Sequence, residues 1–210
     1  RTLTVMGGPA FSRDDKPWLE RFFRRNESLD FYVAGAGEFA FEEIVRLALA
    51  EPNKAIEHVQ DMAFRGLFFR SGDLVHEGSR HVPTIHERRK NLDCIPSPYL
   101  TGTLDEYFSY RHLGPMIETV RGCPYACTFC CWGSRLLNKI SSFSLDRVAS
   151  ELHYISSRAA RDGRLFFGDA NFGLLDQDLE VARIIRDIHQ RTGWPRDVYL
   201  YMAKNAGERV

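Results

Sequence analysis

Apolar residues fall along this chain in two alternating rhythms. Short runs at positions 2–6, 30–34, 116–119, 165–167 and 198–202 are rich in β-branched and aromatic residues and read as strands. Between them apolar positions recur every three or four residues, the rhythm of helices with one buried face. Residues 17–25 fit a helix with Pro17 in its first turn. Phe41, Ile44, Val45 and Ala48 mark the next helix, and Pro52 follows it. Ser144 suits the cap of a helix whose apolar face is Leu145, Val148, Leu152 and Ile155. Val181, Ile184, Ile185 and Ile188 share a face over 178–191, with Gly193 just past the end.

The turns join these elements into units. Gly7-Gly8-Pro9 follows the first strand and Gly35-Ala36-Gly37-Glu38 the second, each ahead of a helix. Strand, glycine turn and helix, twice over, predict part of an open parallel sheet with ligands at the carboxyl ends of its strands. Residues 66–69, the turn Ser71-Gly72-Asp73, and 74–76 predict a hairpin, with the aromatic-rich segment 64–69 as its core. Residues 77–112 are polar and punctuated by proline, as in Ile95-Pro96-Ser97-Pro98-Tyr99, and read as an ordered linker. From 116 onward the order is βαβαβ, the repeating unit of a (β/α) barrel. The chain is thus α/β, divided at 1–62, 63–114 and 115–210. Tyr199, Tyr201 and Lys204 alternate along the last strand and share one face, which predicts that they point into the barrel.

Composition narrows the classes. The 210 residues are 44% hydrophobic and 27% charged, an ordinary balance for one or two folded domains. Lysine plus arginine and aspartate plus glutamate number 28 each, so the formal net charge is +0. That gives no electrostatic case for a nucleic acid or a membrane surface as partner. No apolar run approaches the roughly 18–20 residues that span a bilayer, and no signal peptide opens the chain. With reactive-type cysteines, this predicts a reducing cytoplasm. The chain starts at Arg1 and already reads as strand from Thr2, and its last residues follow another strand; the expectation is an excised piece of a longer protein.

One stretch carries candidate chemistry: Arg121-Gly122-Cys123-Pro124-Tyr125-Ala126-Cys127-Thr128-Phe129-Cys130-Cys131-Trp132-Gly133. Cys123, Cys127 and Cys130 stand at C-x-x-x-C-x-x-C, a loop tight enough to wrap three thiolates around one iron–sulfur cube. Such a cluster normally takes four cysteines, so three leave one iron open to a substrate. Three legs of a zinc site are the alternative, with Cys131 or His112 as the fourth. Zinc ligands usually come as two separated pairs, and no second C-x-x-C or H-x-x-x-H exists here. A disulfide reading is weak, since five cysteines is an odd number.

The cysteine spacing, just after an apolar strand, resembles that of the radical S-adenosylmethionine (radical SAM) enzymes. The resemblance implies that Cys123, Cys127 and Cys130 bind a 4Fe–4S cluster. Its open iron would chelate the amino and carboxylate groups of S-adenosylmethionine, and one electron would cleave that cofactor to a 5′-deoxyadenosyl radical. Phe129, the aromatic before the third cysteine, would sit near the adenine. The second barrel strand of the family ends in a Gly-Gly-Glu-like motif that meets the cofactor's amino group. Here Gly168-Asp169-Ala170-Asn171 stands in that place, so Gly168, Asp169 and Asn171 become candidate cofactor contacts.

Residues 1–62 are similar to the later part of a cobalamin-binding Rossmann-like domain. Gly7, Gly8, Gly35, Gly37 and Glu38 match its two glycine loops. A bulky corrin can approach bare backbone only where side chains are absent. Taken together, the chain resembles the cobalamin-dependent radical SAM class: the tail of a cobalamin-binding domain, a hairpin and linker, and the opening half of a radical SAM barrel. That implies a transferase for methyl transfer or a radical rearrangement, a small-molecule or peptide substrate, and an electron donor such as flavodoxin or ferredoxin. Two alternatives stay open. One is a cobalamin-free radical SAM enzyme such as a methylthiotransferase-like RNA modifier. The other is a zinc-stabilised binding module without catalysis. Elsewhere, Cys131 and Cys94 read as packing thiols, His81, His86 and His112 as surface or linker histidines, and Arg121 as a partner for a carboxylate or for S-adenosylmethionine.

Overall fold

The computed structural model describes residues 2–8, 16–81, 92–110, 112–125, 127–130, 140–160 and 163–203. They belong to two compact units, 1–88 and 89–210.

In the first unit, β1 (Val5–Gly7), α1 (Lys16–Arg25), β2 (Phe31–Val33), α2 (Glu38–Ala50), α3 (Ala55–Asp61), β3 (Leu67–Ser71) and β4 (Leu74–Glu77) follow one another. The sheet order is β1-β2-β3-β4. β1 and β2 are parallel, with Val5 opposite Phe31 and Gly7 opposite Val33. The predicted hairpin is present, and it changes the picture of the sheet. β3 pairs antiparallel with β2, and β4 antiparallel with β3. The sheet is therefore mixed, where the sequence predicted a parallel one. The turn at Gly72 (φ +62°) reverses the chain within two residues, which only an antiparallel pair permits.

Both faces of this sheet are covered, which is why β2 reads as an unbroken apolar run. Phe31 and Val33 pack with Ile44 and Leu47 of α2, Val59 of α3, Phe64 and Leu67. Tyr32 points the other way and packs with Leu19 and Phe23 of α1 and with Phe68. Each large side chain so buried contributes about 1.5–3 kcal/mol. The inward stripe of α2 is Ile44 and Leu47, whereas Phe41 is 55% exposed and Val45 40%. The apolar spacing that revealed the helix therefore located its buried face about one residue off. Glu43 on α2 bonds both Arg46 and Arg80, and the Arg80 Nε–H also donates to the Met62 carbonyl.

The second unit holds β5 (Met116–Ile117), β6 (Val120–Arg121), β7 (Ser141–Ser142), α4 (Leu145–Ser156), β8 (Arg164–Phe167), α5 (Asp176–Thr192) and β9 (Asp197–Tyr199). β5, β8 and β9 form a parallel sheet in that order, the predicted βαβαβ. The Ser144 hydroxyl accepts from the Arg147 N–H at 3.2 Å, capping α4 as its sequence predicts. Val148, Leu152 and Ile155 are buried beneath it. α5 buries Val181 and Ile188, and Gly193 ends it in the left-handed conformation.

The short helix α3 and the ribbon of β6 and β7 escaped sequence reasoning. β6 and β7 pair antiparallel, with Val120 opposite Ser142, as a ribbon apart from the parallel sheet. The part of the linker that is described, 92–110, packs on this unit. The Tyr99 hydroxyl exchanges hydrogen bonds with the Met116 backbone, Asp93 accepts from the Ser144 N–H, and the Tyr154 hydroxyl donates to Asp105. The hairpin at 67–77 and the linker thus belong to different compact units. No helix among the described residues is long and apolar enough to cross a membrane.

Candidate functional site

The cysteine loop leaves the carboxyl end of β5 through Glu118 and Thr119 and enters β6. At that exit β5 and β8 lie side by side, the Gly168 N–H donating to the Ile117 carbonyl at 2.8 Å. Arg121 closes on Glu118 at 2.7 Å, so the structure realises its carboxylate pairing. Gly122 follows at φ +100°, a conformation that side chains other than glycine's resist, and it aims the chain into the loop. Cys123 is 7% exposed, and Cys127 and Cys130 are half-buried. The Cys130 N–H donates to the Cys127 carbonyl at 3.1 Å, folding the last two cysteines into one turn. All three are free thiols. Among the described residues no three histidine, cysteine, aspartate or glutamate side chains are gathered closely enough to hold a metal ion. Cys131 lies outside the described residues, as do His86 and Lys204.

The segment after β8 faces this exit. Asp169 is 1% exposed and turned inward. Its carboxylate accepts from the Thr119 N–H at 2.7 Å, from the Val120 N–H at 3.3 Å and from the Thr119 hydroxyl. Burial pushes Asp169 up to about 6 against those three donors, and the Glu118 charge adds to the rise. Asn171, two residues on, has a buried Nδ2 with no hydrogen-bond partner among the described residues. Asp178 closes the same loop from α5, accepting from the Gly173 and Leu175 N–H groups at 2.8 and 3.0 Å. Burial raises its pKa as well.

The other predicted positions are spread more widely. Phe129 is 82% exposed on the cysteine loop. Gly168 lies next to Ile117 and Met116 at the β8 end. Tyr199 stacks on Phe166 at 4.9 Å, in register with Met116 across the sheet. In the first unit Gly7 and Gly8 close β1, and Gly35, Gly37 and Glu38 follow β2, so both segments lie at the carboxyl ends of parallel strands paired in register. Gly35 (φ +88°) allows the turn into α2, and a Cβ added at Gly8, Gly35 or Gly37 would meet no atom of the described residues within 4 Å.

Thr119 and Asp178 were missed by sequence reasoning. Asp178 carries a usable signal, since an acidic residue three positions past a non-polar helix start is a common reciprocal cap. Thr119 carries none, because its role depends on a partner 50 residues away.

Three free thiols within one short loop are the donor set an iron–sulfur cube requires, and they are soft ligands. A buried amide without a partner among the described residues, two residues from Asp169, is the group a polar cofactor would satisfy. By donor chemistry the three thiols fit a cluster and the Asn171 amide fits a polar molecule, although the described side chains are not gathered around a metal position. At the other site, bare glycine backbone clear of the described residues fits a bulky planar group.

The fold is shared with solved structures. The radical S-adenosylmethionine methyltransferase TsrM from Kitasatospora setae, with cobalamin and a [4Fe-4S] cluster bound, matches over 94% of this chain and 37% of its own, with TM-score 0.53 and 20% identity. The cobalamin-dependent S-adenosylmethionine radical enzyme OxsB matches over 89% and 23%, with TM-score 0.51 and 23% identity. Sequence adds closer similarities. The chain is 33% identical over 213 residues to the cobalamin-dependent radical SAM methyltransferase TokK of Streptomyces tokunonensis. It is 36% identical over 214 residues to the 2-(S-pantetheinyl)-carbapenam-3-carboxylate methyltransferase of Streptantibioticus cattleyicolor. Both alignments take in 99% of this chain and 29% of the relative. Over nearly its whole length the chain is thus homologous to a cobalamin-dependent radical SAM methyltransferase and to a second methyltransferase, and it spans less than a third of the length of these relatives. No family model matches it.

Proposed function

We propose that this chain forms part of a methyltransferase that cleaves S-adenosylmethionine reductively and uses cobalamin in methyl transfer to a small-molecule or peptide substrate. One observation carries the reading. Nearly its whole length is homologous to one such methyltransferase and to a second methyltransferase, and its three-cysteine loop leaves the carboxyl end of a parallel strand. Barrel enzymes place their chemistry at that end.

In this reading Cys123, Cys127 and Cys130 hold the cluster as thiolates, and no fourth cysteine is needed. Asn171 offers its Nδ2 donor to S-adenosylmethionine. Gly168 keeps the wall beside that donor low, and Phe129 closes over the adenine. Gly8, Gly35 and Gly37 leave room for the corrin at the ends of β1 and β2, with Gly7 packed on Val33 and Glu38 next in sequence to Gly37. When bound, the cluster supplies the electron that cleaves S-adenosylmethionine, and cobalamin carries the methyl group. Half of a radical SAM barrel (115–210) and the tail of a Rossmann-like cobalamin-binding domain (1–62) are the finer form of the fold in this reading. A flavodoxin or ferredoxin supplies electrons, in a reducing compartment such as the cytoplasm.

The test is anaerobic turnover by the protein at its native length, with reconstituted cluster, cobalamin, reductant and S-adenosylmethionine. The 2-(S-pantetheinyl)-carbapenam-3-carboxylate named for one relative is the first acceptor to try. We expect consumption of S-adenosylmethionine that needs both iron and reductant, and a methylated product that also needs cobalamin. Cleavage that proceeds equally without cobalamin, and with no methyl transferred to any acceptor, would contradict the cobalamin half of the proposal. No cleavage by iron-loaded protein would contradict all of it.

A further inference from the structure

We infer that Asp169 is a positioning residue that holds the entrance of the cysteine loop against the Asn171 turn, acting through Thr119 and not by touching a cofactor. The inference rests on the cluster reading proposed for Cys123, Cys127 and Cys130.

The geometry points one way. All three donors to Asp169 come from consecutive residues, Thr119 and Val120, between β5 and β6. Val120 begins β6, and β6 runs straight into Gly122 and Cys123. On the other side, Asp169 is two residues from Asn171, with its orphaned amide. One carboxylate therefore ties the strand feeding the cluster ligands to the turn carrying the candidate cofactor donor. Its oxygens already serve two backbone N–H groups and a hydroxyl, and at 1% exposure it presents almost no surface to a ligand. A group binding the ammonium of a cofactor would instead need a free oxygen turned toward the site. Partners that orient metal ligands in this way typically matter about 10- to 100-fold for metal retention or activity.

Three variants of the native-length protein test this: Asp169→Asn, Thr119→Val and the pair combined, with Thr119→Ser as the conservative control. The readouts are the rate of iron loss to a chelator, the electron paramagnetic resonance spectrum of the reduced cluster before S-adenosylmethionine is added, and the affinity for S-adenosylmethionine by equilibrium dialysis. Circular dichroism and thermal midpoints check folding. If Asp169→Asn does not fold, the milder Thr119→Val carries the test. We expect Asp169→Asn to speed iron loss about 10- to 100-fold and to change the spectrum of the cofactor-free cluster. Thr119→Val should shift both in the same direction, the pair should be no worse than Asp169→Asn, and Thr119→Ser should behave as wild type. The inference is overturned if Asp169→Asn keeps wild-type iron retention and spectrum while losing S-adenosylmethionine affinity, because Asp169 would then be a direct contact. It is also overturned if Thr119→Val is silent. A wild-type protein that takes up no cluster sinks the underlying reading and this role with it.

Discussion

Two buried carboxylates order the loop after β8, and they do so by accepting backbone hydrogen bonds rather than by pairing with a cation. Asp169 grips Thr119 and Val120; Asp178 grips Gly173 and Leu175. Burial moves Asp169 from its ordinary 3.8 up to about 6. The sign of the consequence follows by linkage. A folded-state pKa above the unfolded value means the folded chain binds the proton more tightly between the two. The stability this gives is fully present below about pH 4 and is lost as pH rises through about 6, a change of roughly 3 kcal/mol. Asp169→Asn keeps the neutral shape at every pH. The difference in urea midpoint between wild type and Asp169→Asn should therefore move in favour of the variant as pH rises from 4 to 7. A difference that stays flat across that range would mean the hydrogen bonds offset the burial. None of this was legible in the sequence. The Gly-Asp-Ala-Asn string marked the loop that carries Asp169, but an aspartate reads the same whether it faces a cofactor or a backbone N–H.

At the scale of elements, the caps are where sequence and structure agree most closely. Ser144 caps α4 and itself donates its N–H to Asp93 at 2.9 Å, so one residue fixes both the helix start and the linker turn before it. Ser144→Ala removes the cap acceptor but leaves the backbone link to Asp93. It should cost about 1 kcal/mol, read as a lower urea midpoint with unchanged slope. A loss near zero would show that the Asp93 link alone sets the helix start. Four of the five helices and the hairpin were legible because each announces itself locally by a rhythm, a proline or a tight turn; α3, a single stretch of seven residues, was not. The β6–β7 ribbon was not. Each of its strands is two residues long, and they pair across about twenty positions, so neither alternation nor a turn marks them. The mixed order of the first sheet was missed for a related reason: glycine turns before helices predicted β1 and β2 correctly but say nothing about what joins the far side of β2.

At the scale of the molecule, two α/β units each put their candidate ligand loops at the carboxyl ends of parallel strands. In one, bare glycines lie at the ends of β1 and β2; in the other, three free thiols follow β5. That arrangement was legible in outline because cysteine spacing and glycine placement are properties of the string itself. How the thiols are held, through β6, Thr119 and Asp169, was not, since those contacts span about fifty residues. The central claim is that Cys123, Cys127 and Cys130 ligate an iron–sulfur cluster, and it is tested most directly by metal and sulfide analysis after anaerobic reconstitution. The account predicts about four irons and four sulfides per chain in the wild type, and loss of most of both when any one of the three cysteines is changed to alanine. Stoichiometric zinc without sulfide, or a full cluster that survives replacement of all three, would contradict it.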